Sequence, residues 1–243
     1  MIVETIRWYS GACGRSDGSK AALAKRKSHT RIAKRIAKPS RCAFQREPAV
    51  DRRRHLGEAA LRCILKGGSA GISVRQIAAE AGVSLGLIRY HFGSFDDLIA
   101  YAFDMTTDAF LHTIGAAVNR AAPNPQARLD AFIETSFSSL LLDRQVLGVW
   151  VVFWGLVLHS RRMARAQARE YSAYLAMVEN LLGDLAKAEA IPIRDIRLAS
   201  VGFTALLDGL WLAWCLNPAS FRPEQGVSLC RMWIEGMRRG AYA

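Results

Sequence analysis

Long hydrophobic runs are missing from this chain. Its longest uncharged stretch, Gln145–Ser160, has 16 residues, short of the ~20 that a membrane-spanning helix needs. The first 30 residues hold no apolar block of secretory length, about 7–15 residues. These absences predict a soluble, cytoplasmic protein without a membrane partner. Cysteine is scarce: Cys13, Cys42, Cys63, Cys215 and Cys230 in 243 residues, with no C-x-x-C and no histidine at ligand spacing. That excludes a disulfide scaffold and a zinc module and suits a reducing compartment. Strand-like alternation, nucleotide-binding glycine loops, nucleophile–base pairs and paired carboxylates are also lacking, so neither an enzyme nor a cofactor or metal protein is expected.

Acidic residues are few only at the start. Residues 1–55 hold 15 Lys/Arg against 4 Asp/Glu, whereas residues 56–243 hold 18 against 17. The pI near 10 therefore belongs to an N-terminal tail and not to the protein body. Residues 1–50 read as a basic, disordered tail, within which Ala21–Lys38 can form a weak helix ended by Pro39. Such a tail suits phosphate backbones without sequence preference. A nonspecific nucleic-acid binder acting through it is the alternative function.

What is present is helical spacing. Leu56, Ala59, Ala60, Ile64 and Leu65 give one apolar face to a helix over 51–66, started by Arg52, Arg53 and Arg54. Those arginines are either DNA-approaching or a solvated cluster. Ser73 and Gln76 form an S-x-x-Q capping box, and Val74, Ile77, Ala78 and Ala81 continue at helical spacing. Gly82 stops that helix in the left-handed conformation. Ser84 then caps a short helix, Leu85–Phe92. Ile88 and Phe92 lie on its inner face with Val83, leaving Leu85, Gly86, Leu87, Arg89 and Tyr90 outside. A helix–turn–helix presents its second helix to a DNA major groove in this way, although an ordinary helical hairpin with two good caps would read the same.

Ser94 caps the next helix, Phe95 to about Val118, with Asp96 and Asp97 set favourably at its N-terminus. The loop Ala121–Pro125 separates it from further helices over 126–142, 146–159, 161–189, 193–216 and 223–239, broken by Pro192, Pro218 and Pro223. The fold class is all-α. It divides into a helix-turn-helix region over 51–98 and a larger helical region over 99–243.

Two apolar, aromatic stretches, Val149–Gly155 and Leu206–Trp214, belong either to a packed core or to a ligand site. Asp208 sits mid-helix within the second, where an unpaired buried charge is costly. It faces a solvated edge, pairs with Arg161, Arg162 or Arg165, or faces a cavity.

Residues Ser73–Leu98 resemble the TetR family of transcriptional regulators, whose signature is T/S-V-R-x-I-A-x-x-A-G-V-S-x-G-x-x-Y-x-H/Y-F-x-x-K-x-x-L. Arg89 stands where the family has tyrosine, and Phe95 where it has lysine. The resemblance implies a ligand-responsive repressor, dimeric through its last two helices, on a pseudo-palindromic double-stranded operator. Ser73, Arg75, Tyr90 and His91 would touch phosphates, and Leu85, Gly86, Leu87 and Arg89 would face base edges beyond the Ser84 cap. The blocks carrying Trp150, Phe153, Trp154 and His159, and Ala205–Leu212, are similar to the choline-responsive, BetI-like subgroup. That likeness implies a quaternary ammonium effector, such as choline, held by Trp150, Phe153, Trp154, Asp208, Trp211 and Trp214.

Overall fold

The computed structural model describes residues 49–242; the tail expectations lie outside the described residues. Nine α-helices and one short 3₁₀ turn make up the described chain: α1 (Ala49–Gly67), α2 (Val74–Ala81), α3 (Leu85–Phe92), α4 (Phe95–Arg120), α5 (Pro125–Ser136), α6 (Arg144–Val157), α7 (Arg161–Glu189), α8 (Ile196–Leu216) and α9 (Pro223–Arg238), with the 3₁₀ turn at Gly68–Gly71. No strand occurs among the described residues. Gly68, at φ +56, lets the chain reverse out of α1 without the clash that a side chain would bring.

Two apolar cores result, and α4 runs through both. The first joins Leu56, Leu61 and Ile64 of α1 to Ile77 of α2, Ile88 and Phe92 of α3, and Leu98 and Phe103 of α4. Val149 and Phe153 of α6 and Met163 and Ala166 of α7 complete it. Beneath α3 this core continues along α4 as far as Phe103 and draws on two later helices. The second core gathers Ile114 and Val118 of α4 with Phe132 of α5, Val178 and Leu182 of α7, Phe203 and Leu207 of α8, and Ile234 of α9.

Polar rungs hold the first half of α4 against the start of α7 beside the first core. Ser160 Oγ donates to Asp96 at 2.5 Å, Arg162 pairs with Asp97 at 2.9 Å, and Arg169 pairs with Asp104 at 2.7 Å. Hydrogen bonds from Ser94 and then Arg162 hold the Asp97 carboxyl below its usual range.

Some boundaries differ from the sequence expectation. The helix expected over 126–142 stops at Ser136, because the Ser138 hydroxyl accepts no helix role and instead donates to the Thr135 carbonyl at 2.7 Å, competing with backbone continuation. The turns that follow still bury Phe137, Leu141 and Leu142. Asp143 then restarts the helix, its Oδ1 accepting from Gln145 N and Val146 N. α8, at 21 residues, is long and apolar enough to cross a bilayer, although Asp208 interrupts its uncharged run. Here α8 packs against α6, α7 and α9, and its buried Trp211 indole donates to the Ser136 carbonyl at 3.0 Å.

Close packing of α9 makes a first prediction. A Cβ on Gly226 would lie 2.3 Å from Phe137 Cε1. Alanine gains about 1 kcal/mol of helix propensity over glycine, but forcing an aromatic ring aside costs about 1–3 kcal/mol or more. At this distance the clash dominates. Gly226→Ala lowers stability by about 2 kcal/mol, a fall of ~4–8 °C in a thermal melt.

Candidate DNA-reading surface and effector cavity

The α2–turn–α3 unit is set by its caps. Ser73 Oγ accepts from Gln76 N at 3.2 Å. The Gln76 side chain departs from the expected box: its Oε1 takes the Ser73 hydroxyl proton at 2.5 Å instead of reaching the Ser73 backbone N–H. Gly82 closes α2 at φ 65, ψ 34, its N–H shared between the Ala78 and Ala79 carbonyls. Ser84 Oγ accepts from Leu87 N at 3.3 Å and opens α3. Across the packing face of α1 and α2, Glu80 is gripped by Arg62 and Lys66, each at 2.7 Å. Burial works against the Glu80 charge, but these two hydrogen bonds outweigh it and hold its carboxyl below the ordinary value.

Ile88 and Phe92 point inward at 2% and 5% exposure, whereas Leu85 and Tyr90 stand out at 46% and 83%. Gly86, Arg89 and Arg75 are exposed, and Ser73, Leu87 and His91 are half-buried at the edges of the same surface. The displayed face therefore combines two leucines, a glycine and an arginine, rimmed by Arg75, Tyr90 and His91. Leucines can meet thymine methyls, and arginine can meet guanine or phosphate.

Arg53 has an inward task that its basic neighbours hid in the sequence. Its guanidinium lies 4.2 Å above the Phe92 ring and 5.1 Å from the Tyr101 ring, and Nη1 donates to the His91 carbonyl. It thus fastens α1 to the C-terminal end of α3, where helix carbonyls lack internal partners. Arg54 pairs with Glu58 at 3.0 Å. Phe95, in the place of the usual lysine, packs half-buried against the first core, exchanging a charged tip for apolar contact.

Between the cores lies a small, half-open cavity of about 60 Å³, below the about 300–1,000 Å³ of most small-molecule sites but walled by aromatic rings and one carboxylate. α6 supplies Trp150 and Trp154, and α8 supplies Asp208 and Trp211. α4 adds Phe103, Thr107, Phe110 and Leu111, and α7 adds Gln167, Glu170, Tyr171 and Tyr174. Phe110 is the hub of the aromatic wall, its ring centre 5.7 Å from Trp150 and 5.5 Å from both Tyr174 and Trp211. Burial pushes the Asp208 carboxyl up to about 6. Of the three settings open for Asp208, the arginine pairing is not formed among the described residues: burial alone shifts its carboxyl, Arg162 is engaged by Asp97, and Arg165 donates to the Arg161 carbonyl at 3.2 Å.

Four of the six residues expected at a ligand site thus meet around one cavity, and two do not. Phe153 is fully buried in the first core, 5.3 Å from Phe103, and Trp214 packs half-buried on the second core outside the cavity lining. The α4 and α7 residues were missed. Their signal is helical spacing, Phe103–Thr107–Phe110 and Gln167–Tyr171–Tyr174, on helices that otherwise read as linkers.

Residues 56–102 match the family described as "Bacterial regulatory proteins, tetR family", and residues 125–239 match "BetI-type transcriptional repressor, C-terminal". Among curated proteins, the HTH-type transcriptional regulator BetI of Burkholderia thailandensis is 30% identical over 188 residues, covering 76% of this chain and 92% of that protein. The BetI of Serratia proteamaculans is 29% identical over 198 residues, covering 78% and 93%. A transcriptional regulator structure from Pseudomonas aeruginosa PAO1 superposes with a TM-score of 0.76 at 40% identity, covering 83% of this chain and 97% of that one. A regulator from Saccharomonospora viridis, solved in complex with choline, shares the fold at a TM-score of 0.66 and 21% identity, covering 76% and 96%. These relatives regulate transcription and are not enzymes, and regulators of this kind bind operator DNA, dimerise and take small-molecule effectors. The helix–turn–helix, the helical effector half and both matched regions make this chain a member of the TetR family of bacterial transcriptional regulators, with a BetI-type C-terminal half.

Proposed function

We propose that the protein is a homodimeric repressor, acting on DNA in the bacterial cytoplasm, whose effector is a small organic cation of the choline class. The observation that carries this reading is Asp208, a carboxylate without an arginine partner among the described residues, set in a cavity walled by Trp150, Trp154, Phe110 and Trp211. A quaternary ammonium donates no conventional hydrogen bond, so aromatic faces and a carboxylate are what can hold it, each face contributing roughly 0.5–2 kcal/mol. The choline-bound regulator of the same fold and the BetI relatives agree with this class.

On the DNA side, Ser73, Arg75, Tyr90 and His91 contact phosphates, while Leu85, Gly86, Leu87 and Arg89 face the bases beyond the Ser84 cap. The reader (51–98) and the effector and dimerisation domain (99–243) share α4, whose N-terminus is tied to α7 by Ser160 and Arg162. Because α7 also walls the cavity, a cation that favours one setting of α7 shifts α4 and changes the spacing of the two reading helices. Release requires that the cation bind one spacing more tightly than the other.

Dimerisation is supported by a stripe on α8: Leu198, Val201, Ala205, Gly209, Leu212 and Leu216 recur every three or four residues and are all exposed. Leu229 and Met232 extend it onto α9. A two-fold pairing of such faces sets two reading helices on a pseudo-palindrome. Leu212→Glu places like charges in that apolar seam. It is expected to sediment as a monomer at micromolar concentration and to lose at least about tenfold in operator affinity, since the second half-site no longer gains from tethering.

The functional reading itself is tested by fluorescence anisotropy of the duplex upstream of this gene. Choline or a related cation should weaken binding of the full chain, and operator affinity that no such cation alters would reject the proposed effector class.

A further inference from the structure

Two polar atoms in the cavity wall are buried without a hydrogen-bond partner among the described residues: Gln167 Oε1 and the Tyr174 hydroxyl. Both belong to α7 and both line the same cavity as Asp208. Seven residues apart, they stand about two turns from one another on one helix face. An amide oxygen only accepts, and a phenol both donates and accepts. Tyr174 is 7% exposed, and burial together with the Asp208 charge raises its hydroxyl well above the ordinary value, so it stays a phenol. Groups of this kind are costly to leave unmade in a buried setting.

Aromatic walls and Asp208 account for a positive charge, but they do nothing for these two atoms. The methyl groups of a fully substituted ammonium do nothing for them either, because carbon-bound hydrogens are weak donors. A ligand carboxylate is no remedy, since it cannot donate to Gln167 and would meet Asp208 and Glu170 as a like charge. What fits is an O–H or N–H group close to the cationic centre.

Resting on the cation reading above, we propose that the effector must carry a hydrogen-bond donor beside its positive charge, and that Gln167 and Tyr174 select it over donorless cations of equal size. The class is a small amino alcohol or a protonated amine. Both sources offer the same chemistry to α7, and a donorless quaternary ammonium or a betaine is discriminated against. Gln167 and Tyr174 are specificity-determining residues in this scheme, while Asp208 and the tryptophans supply charge recognition.

The test is isothermal titration calorimetry of the full chain with four probes. Choline carries an O–H and no N–H. Propyltrimethylammonium has the same shape with a methyl in place of the hydroxyl. Protonated dimethylaminoethanol carries both donors, and glycine betaine carries neither. The better donor-bearing probe should bind at least about tenfold more tightly than propyltrimethylammonium, a difference of about 1.4 kcal/mol. Tight choline identifies O–H as the donor; tight dimethylaminoethanol with weak choline identifies N–H. Gln167→Leu should shrink the preference to within about threefold while retaining propyltrimethylammonium affinity, operator binding and melting temperature, and Tyr174→Phe serves as the second variant. Equal binding of choline, dimethylaminoethanol and propyltrimethylammonium overturns the donor requirement but leaves the cation reading standing, as does a Gln167→Leu loss shared alike by all probes. Absence of binding by all four removes the cation reading and this inference together.

Discussion

Gly86→Glu leaves the chain folded and removes operator binding. Gly86 sits exposed in the first turn of α3, and a Cβ there would meet nothing closer than Ser84 Oγ at 3.8 Å. Glutamate is the better helix former by roughly 0.5–1 kcal/mol, and a negative charge near a helix N-terminus is favourable. The melting temperature should therefore hold or rise slightly. At the DNA surface the same change separates the helix from the groove and sets a carboxylate against phosphates. Losing even one good base contact costs about 1–3 kcal/mol, and the repulsion adds to it, so affinity by anisotropy should fall at least about 100-fold. Arg89→Ala, a pure loss of contact, should cost less, about 1–3 kcal/mol with relaxed specificity at one base position. Operator binding by Gly86→Glu within about threefold of wild type would take α3 out of the groove.

Asp208→Asn should raise the dissociation constant of the cation effector at least about thirtyfold at pH 7.5, with operator affinity unchanged in the absence of effector. The side chain keeps its size and loses only its charge, so a cation surrenders its counter-ion while the aromatic wall stays in place. The pH dependence follows from the raised carboxyl. Its folded value of about 6 lies above the usual 3.8 because burial penalises the charge. The stability contributed by the neutral carboxyl is therefore fully present below about 3.8 and is lost as pH rises through about 6. Effector binding runs the other way. It needs the ionised form, so affinity should drop about five- to sixfold on going from pH 6 to pH 5. In Asp208→Asn both profiles flatten near pH 6. Calorimetry and thermal melts at three pH values check both slopes, and a wild-type slope retained in the variant would assign the titration to another group.

The helix–turn–helix was legible in the sequence because its limits are set locally. Ser73, Gly82, Ser84 and Ser94 each fix a helix end with a hydroxyl or a left-handed backbone, and a cap needs only neighbours within three or four residues. Arg53 was not legible. Its partners, Phe92, Tyr101 and the His91 carbonyl, lie about 40 residues or more along the chain, and a run of three arginines gives no hint of which one turns inward. The cavity was legible in part for a geometric reason. Trp150 and Trp154 stand about 40° apart around α6, whereas Phe153 lies about 60° to the other side of Trp150 and turns to the first core. Likewise Trp211 is about 60° from Asp208 around α8, and Trp214 about 120°. Residue type drew all six together, but only tertiary packing selects which arc of a helix faces the space. Gln167, Glu170, Tyr171 and Tyr174 went unseen because polar side chains on a long helix read as its solvated side.

The central claim is that the outer face of α3 enters a major groove twice, once from each copy of the chain. A photo-crosslinking side chain installed at Leu87, bound to operator duplex and mapped to nucleotide resolution, tests it most directly. The expected result is two clusters of crosslinked major-groove bases on one face of the duplex, a whole number of helical turns of about 10 base pairs apart. Crosslinks confined to a single site, or absent from the bases while the duplex remains bound, would contradict it.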